Sequence, residues 1–366
     1  MSPRSPHIPY TKPLLPSLES MYELLEGIWD RRVVANFGPV QAQFEAALKP
    51  TIGGESRLFL ANGYSALRII LTALGAEGQV IVSGFTHPAT AQAVLASGLE
   101  PVTVDIDPYD LNISVAATAS AITSKTSAIL ATHVFGNPSD IDELSRVASA
   151  NSLLLLFDAA AAVGVTYRGR PIGDYGSANA FSFHATKVLS AVEAGAAVFN
   201  DKDSVEIARR LANFGIAEGR PLRAGMNAKG NEITAAIGLA TLPLLAQEIS
   251  ARRRLRQRYA ANLEALESVS LIPIRKHIFY NHSMLAIRAC GADGNGVADP
   301  LHKHLEARGI ESRRYFSDRH SNPMLNHQDH PCAAKASQEV ICLPLWGSMP
   351  NSDLDEVCEA VSDFLN

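Results

Sequence analysis

Cysteine is scarce in this sequence, and no two cysteines have the spacing of a metal site. The four cysteines all lie in the last quarter of the 366-residue chain, and they are Cys290, Cys332, Cys342 and Cys358. Because none of them forms a Cys-x-x-Cys pair, a zinc ribbon or a dithiol redox motif is not expected. The pattern is typical of free thiols in a reducing cytoplasm, and we predict no metal site.

An excess of charge of one sign and a long apolar run are also missing. Lys plus Arg number 32 and Asp plus Glu number 37, so the net charge is −5 and no basic excess indicates nucleic-acid binding. A membrane span needs about 18 uninterrupted apolar residues, and Asp158 interrupts the best candidate, 153–165. Residues 1–9 are broken by prolines and contain no apolar leader. We therefore expect a cytoplasmic protein that binds neither nucleic acid nor a membrane.

The sequence is rich in apolar residues, which occur in short runs. The hydrophobic fraction is 47% and the charged fraction 19%, which excludes a disordered chain. Seven apolar runs have the length of strands buried on both faces, and they are 58–61, 80–82, 101–104, 128–131, 153–157, 178–181 and 196–199. Helices intervene between the first five, so we predict an α/β fold with a mostly parallel seven-stranded sheet flanked by helices. The last two runs follow each other closely, and there the sheet need not stay parallel.

The length of the chain suggests about two domains. We predict a large domain over 1–244, beginning with a proline-rich arm at 1–17, and a smaller C-terminal α/β domain over 245–366. Apolar spacing predicts a strand at 283–288, and polar composition predicts a loop at 316–333. Apolar spacing also predicts helices over 18–32, 65–74, 89–96, 141–150, 234–268, 299–308 and 351–365.

An aspartate and a lysine follow two of the apolar runs. Asp158 stands where the run 153–157 ends, and the carboxyl ends of strands open into the ligand crevice of an α/β sheet. A charged carboxylate there is costly unless it meets a cation or hydrogen-bond donors. Lys187 follows the run 178–181, and a lysine at the edge of an apolar site is a potential Schiff-base nucleophile. Together they suggest pyridoxal phosphate; a helix-capping aspartate and a surface lysine are the alternatives.

Two further segments join a strand to a helix. Gly63 places backbone N–H groups at a helix N-terminus, where they would suit a cofactor phosphate. His87 follows the run 80–82, and an aromatic ring in this place could stack on a flat cofactor. An ordinary connection at Gly63 and a helix-start role for His87 are the alternatives.

In this order, these segments resemble the sugar-nucleotide aminotransferases of the DegT/DnrJ type. The resemblance covers nearly the whole chain and includes Asn36-Phe37-Gly38-Pro39, Gly136-Asn137-Pro138-Ser139-Asp140, Ser182-Phe183-His184-Ala185-Thr186-Lys187, Asn213-Phe214-Gly215 and Gly309-Ile310-Glu311-Ser312-Arg313-Arg314-Tyr315-Phe316. The Phe-His-Ala-Thr-Lys and Arg-Arg-Tyr-Phe stretches look most like the branch that makes 4-amino-4,6-dideoxy sugars on dTDP.

The resemblance implies a fold and a reaction. The fold would be type I of the enzymes that depend on pyridoxal 5′-phosphate, the fold of aspartate aminotransferase. The reaction would move the amino group of L-glutamate to a nucleotide-linked 4-keto-6-deoxy sugar, with dTDP as the favoured nucleotide. Such a product would serve the synthesis of a surface polysaccharide, for example lipopolysaccharide O-antigen. A homodimer with shared active sites is implied as well.

The resemblance also implies roles for single residues. Lys187 would bind the cofactor covalently and shuttle the proton, Asp158 would bind the pyridine nitrogen, and His87 would stack on the ring. The residues expected at the cofactor phosphate are Gly63, Tyr64, Ser65, Ser182 and, from the neighbouring subunit, Asn227. The candidate substrate-binding residues are Lys229, Arg313 and Tyr315. Lys229 and Arg313 would be cations for the pyrophosphate, and a solvated surface charge is the alternative for each.

Three positions depart from the family pattern. Ala161 replaces a Gln or His near the cofactor's 3-oxygen, Tyr64 replaces a Thr of the phosphate turn, and His87 replaces a commoner Phe or Trp. Two rival functions therefore stay open. One is a non-catalytic sensor or partner protein with the same fold. The other is a sugar dehydratase of this fold, although such relatives carry His where this chain has Lys187.

Overall fold

The structure, a computed structural model, describes residues 7–316 and 330–365 of the chain. Within that part, its strands in chain order are β1 Ser56–Leu60, β2 Gln79–Ser83, β3 Glu100–Val104, β4 Thr126–Thr132, β5 Leu154–Asp158, β6 Thr166–Tyr167, β7 Arg170–Pro171, β8 Ala178–Ser182, β9 Gly195–Phe199, β10 Ile216–Ala217, β11 Arg220–Pro221, β12 Val269–Leu271, β13 Ile278–Phe279, β14 Leu285–Ala289 and β15 Val340–Leu343. Seven of them form one large sheet in the order β1-β9-β8-β5-β4-β2-β3.

The large sheet confirms all seven predicted runs, and its direction changes at one strand. β3, β2, β4, β5 and β8 run parallel to their neighbours in this series, whereas β9 pairs antiparallel with both β8 and β1. The connection from β8 to β9 spans residues 183–194 and contains no helix, so it cannot carry the crossover that a parallel pair requires. The short connection between the last two predicted runs is therefore the reason why β8 and β9 pair antiparallel.

Helices cover both faces of the sheet. In the described residues the α-helices are α1 Leu18–Arg31, α2 Pro39–Ala47, α3 Lys49–Ile52, α4 Gly63–Ala73, α5 Pro88–Ala96, α6 Val115–Ser120, α7 Ile141–Ala150, α8 Ser204–Leu211, α9 Glu232–Thr241, α10 Leu245–Leu263, α11 Ala298–Ala307, α12 Pro331–Glu339 and α13 Asn351–Leu365. Apolar residues of α2, α7 and α9 pack on one face, and those of α4, α5 and α8 on the other. In β5, Leu155 and Phe157 join the first core and Leu156 the second, because successive side chains of a strand alternate.

A separate core lies in the C-terminal third. The antiparallel sheet β12-β14-β15 packs with α11, α13 and the later turns of α10 around Tyr259 and Trp346. The first turns of α10 belong to the large core through Leu245 and Ile249. Residues of the N-terminal arm join the smaller unit, since Ile8 pairs with Ile310 and lies in the core of that unit. The domain boundary at 244/245 stays a prediction.

Two predicted segments differ from the structure in kind, four predicted helices differ from it by one or two residues at an end, and α2, α3, α6 and α8 were not predicted. The helices over 141–150 and 351–365 are confirmed at the same bounds. The stretch 234–268 is two α-helices joined by a 3₁₀ turn at Leu242–Leu244, where Pro243 has no N–H to continue the ladder. The loop predicted at 316–333 contains the start of α12, and residues 1–6 and 317–329 lie outside the described residues.

One helical run bears on the question of a membrane span, and the arrangement of the His, Cys, Asp and Glu side chains bears on the question of a metal site. The run Glu232–Leu263 is long and apolar enough to cross a membrane by length and composition alone, with 39% of its apolar window buried. A core helix passes the same test, and α9 contributes Ala235 and Ala236 to the large core. Over residues 7–316 and 330–365, no group of three or more His, Cys, Asp or Glu side chains has the arrangement of a metal site.

Candidate active site

A cavity of about 410 Å³ opens at the carboxyl ends of the parallel strands. Ligand sites of α/β sheets lie at this edge, and the volume is within the range of small-molecule sites. The structure brings seven of the predicted residues to its lining, and they are Gly63, Tyr64, His87, Asp158, Ser182, Lys187 and Tyr315. The sequence-based site therefore assembles around one space.

Asp158 is the last residue of β5, and its carboxylate is held by donors on both oxygens. Its side chain is only 4% exposed. Oδ2 accepts a hydrogen bond from Thr90 Oγ1 at 2.7 Å, and Oδ1 accepts one from the backbone N–H of Ala160 at 3.1 Å. A turn follows it rather than an α-helix, so Asp158 does not cap a helix. The donors offset part of the desolvation cost and leave lone pairs for a cationic group in the cavity.

Lys187 lies in the loop that joins β8 to β9. Backbone hydrogen bonds close this loop, from Ala185 N–H to Val192 O at 2.9 Å and from Lys187 N–H to His184 O at 2.8 Å. Burial lowers the pKa of Lys187, while the charge of Asp158 acts in the opposite direction. The net lowering increases the fraction of neutral amine, which is the form that attacks a carbonyl carbon or removes a proton.

The start of α4 forms an anion cradle. Asn62 caps the helix by accepting the N–H of Ser65 at 2.8 Å, so the first-turn N–H groups of Gly63 and Tyr64 remain available for a ligand. A Cβ on Gly63 would lie 3.2 Å from Ser182 Cβ, which shows how closely the turn approaches the end of β8. Ser65 itself does not line the cavity. N–H groups and a hydroxyl at a helix N-terminus suit a phosphate.

Aromatic side chains form another wall. His87 is the N-cap of α5, and its Nδ1 accepts the N–H of Ala89 at 3.2 Å, so the helix-start interpretation holds. Its ring also meets the edge of Phe316, with centroids 6.4 Å apart, and it lines the cavity. Phe316 stacks on Phe135 at 6.1 Å, and burial raises the pKa of the neighbouring Tyr315 to about 12. This wall offers rings and a neutral phenol rather than charge.

A histidine and a glutamate lie on the lysine loop beside the cavity. His184 Nδ1 bonds to Thr186 Oγ1 at 2.8 Å, and His184 Nε2 lies 3.4 Å from Glu193 Oε1. Both side chains are well exposed in the single chain, and both residues line the cavity. They add titratable groups close in sequence to Lys187.

Besides Ser65, three predicted residues do not line this cavity. Asn227 is exposed, and its Oδ1 accepts a hydrogen bond from Lys229 Nζ at 2.8 Å. Burial lowers the pKa of Lys229, whose ammonium also donates to Asn213 Oδ1 at 2.8 Å. Arg313 forms an ion pair with Glu311 on the smaller unit. In one chain, therefore, neither predicted pyrophosphate cation reaches the site.

Sequence reasoning missed several lining or supporting residues. Four of them are Thr90, Thr132, His133 and Phe135, which contact Asp158 or line the cavity. Thr132 and His133 stand at the end of the apolar run that forms β4, as Asp158 stands at the end of its own run. The criterion that selected Asp158 would have found them if it had been applied to every strand.

These groups fit pyridoxal 5′-phosphate, the cofactor that the sequence resemblance implies. The groups that fit it are a buried carboxylate that can accept from the ring nitrogen, an amine of lowered pKa that can react with the aldehyde, and backbone N–H groups that can donate to the phosphate. Ala161 lines the same cavity but contributes only a methyl group, so it offers no hydrogen bond to the ring. The fit thus covers both ends of the cofactor and lacks one lateral contact.

Comparison with known proteins adds a family and named relatives. The model of the DegT/DnrJ/EryC1/StrS aminotransferase family matches residues 19–362. The chain is 32% identical over 365 residues to a dTDP-4-amino-4,6-dideoxy-D-glucose transaminase of Shigella dysenteriae, covering 97% of this chain and 98% of the relative. It is also 32% identical to a GDP-perosamine synthase of Caulobacter vibrioides, covering 98% of this chain and 99% of the relative. The crystal structure of DesI in the presence of its TDP-sugar product matches with a TM-score of 0.92 and 32% identity, over 98% of this chain and 92% of DesI.

Proposed function

We propose a function for this chain from the premise that it belongs to the DegT/DnrJ/EryC1/StrS aminotransferase family. It is a sugar aminotransferase, and its cofactor is pyridoxal 5′-phosphate. The proposed reaction transfers the amino group of L-glutamate to a 4-keto-6-deoxy sugar linked to a nucleoside diphosphate, with dTDP as the favoured nucleotide. The proposed setting is the cytoplasmic synthesis of an amino sugar for a surface polysaccharide.

One observation carries the catalytic assignment. The buried carboxylate of Asp158 and the amine of Lys187 line the same cavity, each at the end of a β-strand or in the loop after it. A half-buried lysine of lowered pKa close to a hydrogen-bonded carboxylate is an arrangement that tertiary structure must maintain at a cost, which indicates function. A sugar dehydratase is disfavoured because Lys187 stands where such relatives carry His.

The choice of nucleotide rests on the named relatives. A dTDP-sugar transaminase and a structure with a TDP-sugar product support dTDP. A GDP-perosamine synthase of the same identity supports GDP as the second candidate. The assay below compares the two directly.

The aromatic wall supports a 6-deoxy sugar. Phe135, Tyr315, Phe316 and Met284 line the cavity, and none of the four side chains carries a charge. A methyl group at C6 would bury against such a surface, whereas a hydroxymethyl group would lose its hydrogen bonds to water.

In the proposed mechanism the residues of this protein bind and orient the cofactor, and one of them moves a proton. Bound pyridoxal 5′-phosphate supplies an electron sink for the charge left when a proton leaves the carbon that carries nitrogen. Lys187 Nζ, in its neutral form, would remove that proton from the carbon on one side of the nitrogen and deliver it to the carbon on the other side. Asp158 would accept a hydrogen bond from the protonated ring nitrogen, and the N–H groups of Gly63 and Tyr64, with the hydroxyl of Ser182, would hold the phosphate.

A product assay tests this function. The protein is loaded with pyridoxal 5′-phosphate and incubated with L-glutamate and matched dTDP-, GDP- and UDP-linked 4-keto-6-deoxy sugars. We expect an aminated dTDP-sugar by mass spectrometry, with one 2-oxoglutarate formed for each product molecule. Amination of the GDP-sugar alone would reassign the nucleotide, and no amination of any sugar would contradict the proposed substrate class.

The Lys187→Ala variant tests the catalytic assignment. Loss of a general base and covalent anchor should lower kcat by at least about 10³-fold. Lys202→Ala, which removes an exposed lysine, should leave kcat unchanged. Normal turnover by Lys187→Ala would contradict the role of Lys187.

A further inference from the structure

Three threonines form a chain of hydroxyl groups that ends on Asp158. Thr90 Oγ1 lies 2.7 Å from Asp158 Oδ2, Thr86 Oγ1 lies 3.0 Å from Thr90 Oγ1, and Thr86 Oγ1 lies 2.6 Å from Thr132 Oγ1. Thr86 precedes α5, Thr90 is in its first turn, and Thr132 ends β4. Thr90 is fully buried, so its hydroxyl is not in contact with bulk water. Three segments thus meet at one carboxylate.

The direction of every hydrogen bond in this chain follows from the charge of Asp158. An ionised carboxylate only accepts, so Thr90 donates its single proton to Asp158. Thr90 can then only accept from Thr86, and Thr86, with its proton used, can only accept from Thr132. All three O–H bonds therefore point toward Asp158.

We propose that Thr90 is a positioning residue for the aminotransferase reaction, and that Thr86 and Thr132, which donate in series to Thr90, strengthen its hydrogen bond to Asp158. The hydroxyl of Thr90 holds one oxygen of Asp158, and the N–H of Ala160 holds the other. The two hydrogen bonds would keep the carboxylate oriented toward the ring nitrogen. This inference rests on the proposed function, because it takes Asp158 as the partner of that nitrogen.

Electrostatics favours such an arrangement. Hydrogen bonds to a charged group are stronger than neutral ones, and aligned bonds polarise one another. Lys187 lines the same cavity, and the charge of Asp158 raises the pKa of its amine against the effect of burial. A carboxylate fixed by oriented donors resists drawing the ring proton onto itself, and the ring keeps its full capacity as an electron sink.

Spectroscopy of the loaded protein tests the positioning role. Thr90→Val keeps the shape and removes the donor. We expect this variant to retain pyridoxal 5′-phosphate about tenfold less tightly. The visible absorption band of the bound cofactor changes with pH, and we expect the midpoint of that change to rise by about one pH unit. We also expect a roughly tenfold lower kcat with little change in the KM of the nucleotide sugar. Thr90→Ser should restore all three values, and Thr86→Val should shift the midpoint in the same direction by less.

The control is Thr118→Val, which removes another fully buried threonine hydroxyl, bonded to Ser114 O at 2.7 Å within α6. It should leave the absorption band and its pH midpoint unchanged. An unchanged midpoint in Thr90→Val would overturn the proposal; if that variant does not fold, an unchanged midpoint in Thr86→Val would do so. Cofactor retention and the band need no sugar, so they separate this proposal from the proposed substrate. Failure of every sugar to react would count against the substrate class alone.

Discussion

His133 lies beneath the cavity in a state that acid cannot easily change. Its ring stacks on Phe157 with centroids 4.5 Å apart, and Nδ1 accepts the N–H of Ser139 at 3.1 Å. Because Nδ1 is an acceptor, the neutral ring carries its proton on Nε2. Burial lowers the pKa of His133 to about 3. The backbone N–H of His133 also donates to the carbonyl of Asp158 at 3.0 Å, so the backbone at this residue joins the ends of β4 and β5 at the site.

This lowered pKa predicts a pH-dependent stability. An unfolded histidine binds a proton near pH 6.5, whereas folded His133 does so only near 3, so the unfolded chain binds one more proton between these values. The contribution is complete above the unfolded pKa. It is lost as the pH falls, by about 1.4 kcal/mol for each pH unit. His133→Gln should remove this slope, as measured by urea unfolding at several pH values below neutrality.

A second histidine provides a comparison for the same experiment. Burial lowers the pKa of His282 to about 4, with the nearby arginines adding to the shift. His282→Gln should therefore flatten the curve over a narrower range than His133→Gln. If the wild type and both variants gave parallel curves of unfolding free energy against pH, the buried histidines would not explain the acid sensitivity.

At the scale of elements, one carboxylate joins two helices. Glu232, in the first turn of α9, is fully buried. Its two oxygens accept the N–H groups of Val40 at 3.0 Å and Gln41 at 2.8 Å, at the start of α2. These are first-turn donors with no partner inside their own helix, and a negative charge there also favours the helix dipole. A Cβ on Gly38 would lie 2.5 Å from Glu232 Cδ, so a glycine is required at that position.

Two substitutions test this junction. Glu232→Gln removes the charge and turns one acceptor into a donor that faces N–H groups, and it should lower the free energy of unfolding by about 1–3 kcal/mol. Gly38→Ala should destabilise as well, because its methyl group would displace the carboxylate. Urea unfolding at fixed pH measures both. Glu359→Gln, at an exposed position of α13, serves as the control, and an equal loss there would contradict the junction.

At the scale of the whole molecule, we propose that a second copy of the chain covers apolar side chains that are exposed in the single chain. Many of these exposed large side chains lie at or next to the N-terminal helix and the β10–β11 hairpin, and they include Leu15, Leu18, Tyr22, Trp29, Val34, Phe214 and Leu222. Asn227 follows the hairpin, and its Oδ1 is taken by Lys229, which leaves its amide N–H₂ to donate. Exposed apolar surface of this kind marks an interface, and we expect the homodimer with shared sites that the sequence resemblance implies.

Co-expression of two defective chains tests whether the sites are shared. Lys187→Ala and Asn227→Asp should each be nearly inactive alone, the second because a carboxylate would repel the cofactor phosphate. If Asn227 serves the partner's site, a mixed dimer has one site with both changes and one with neither. Random pairing should then restore about one quarter of the wild-type activity.

The matched control co-expresses two chains, each with one change, and both changes affect residues that belong to the same site. Lys187→Ala co-expressed with Asp158→Asn leaves a defect in each site, since both residues line one cavity, so no recovery is expected. Recovery in the control, or none with Asn227→Asp, would contradict a site completed by Asn227. A monomer in sedimentation would contradict the dimer itself.

Much of the large sheet and the centre of the site could be predicted from the sequence, because the signals there are local. Strands buried on both faces require continuous apolar runs, and such runs marked all seven strands as well as the place of Asp158. Two-residue strands such as β6 and β7 leave no such signal, and the start of α12 lies in a polar segment whose composition favours a loop. Ser65 is adjacent in sequence to residues of the phosphate turn, but its N–H is used by the Asn62 cap and it does not line the cavity.

By itself the sequence determined the order of the strands along the chain, the lysine and the aspartate, and the family. Only the tertiary structure decided which distant segments meet. Thr90 and Asp158 are 68 residues apart, Val40 and Glu232 are 192 apart, and Tyr10 and Glu311, which share a hydrogen bond, are 301 apart. Apolar periodicity fixes which face of an element is buried, but the neighbour on that face is chosen by the packing of the whole chain. The hydroxyl chain on Asp158 exists because the ends of β4 and β5 meet the start of α5.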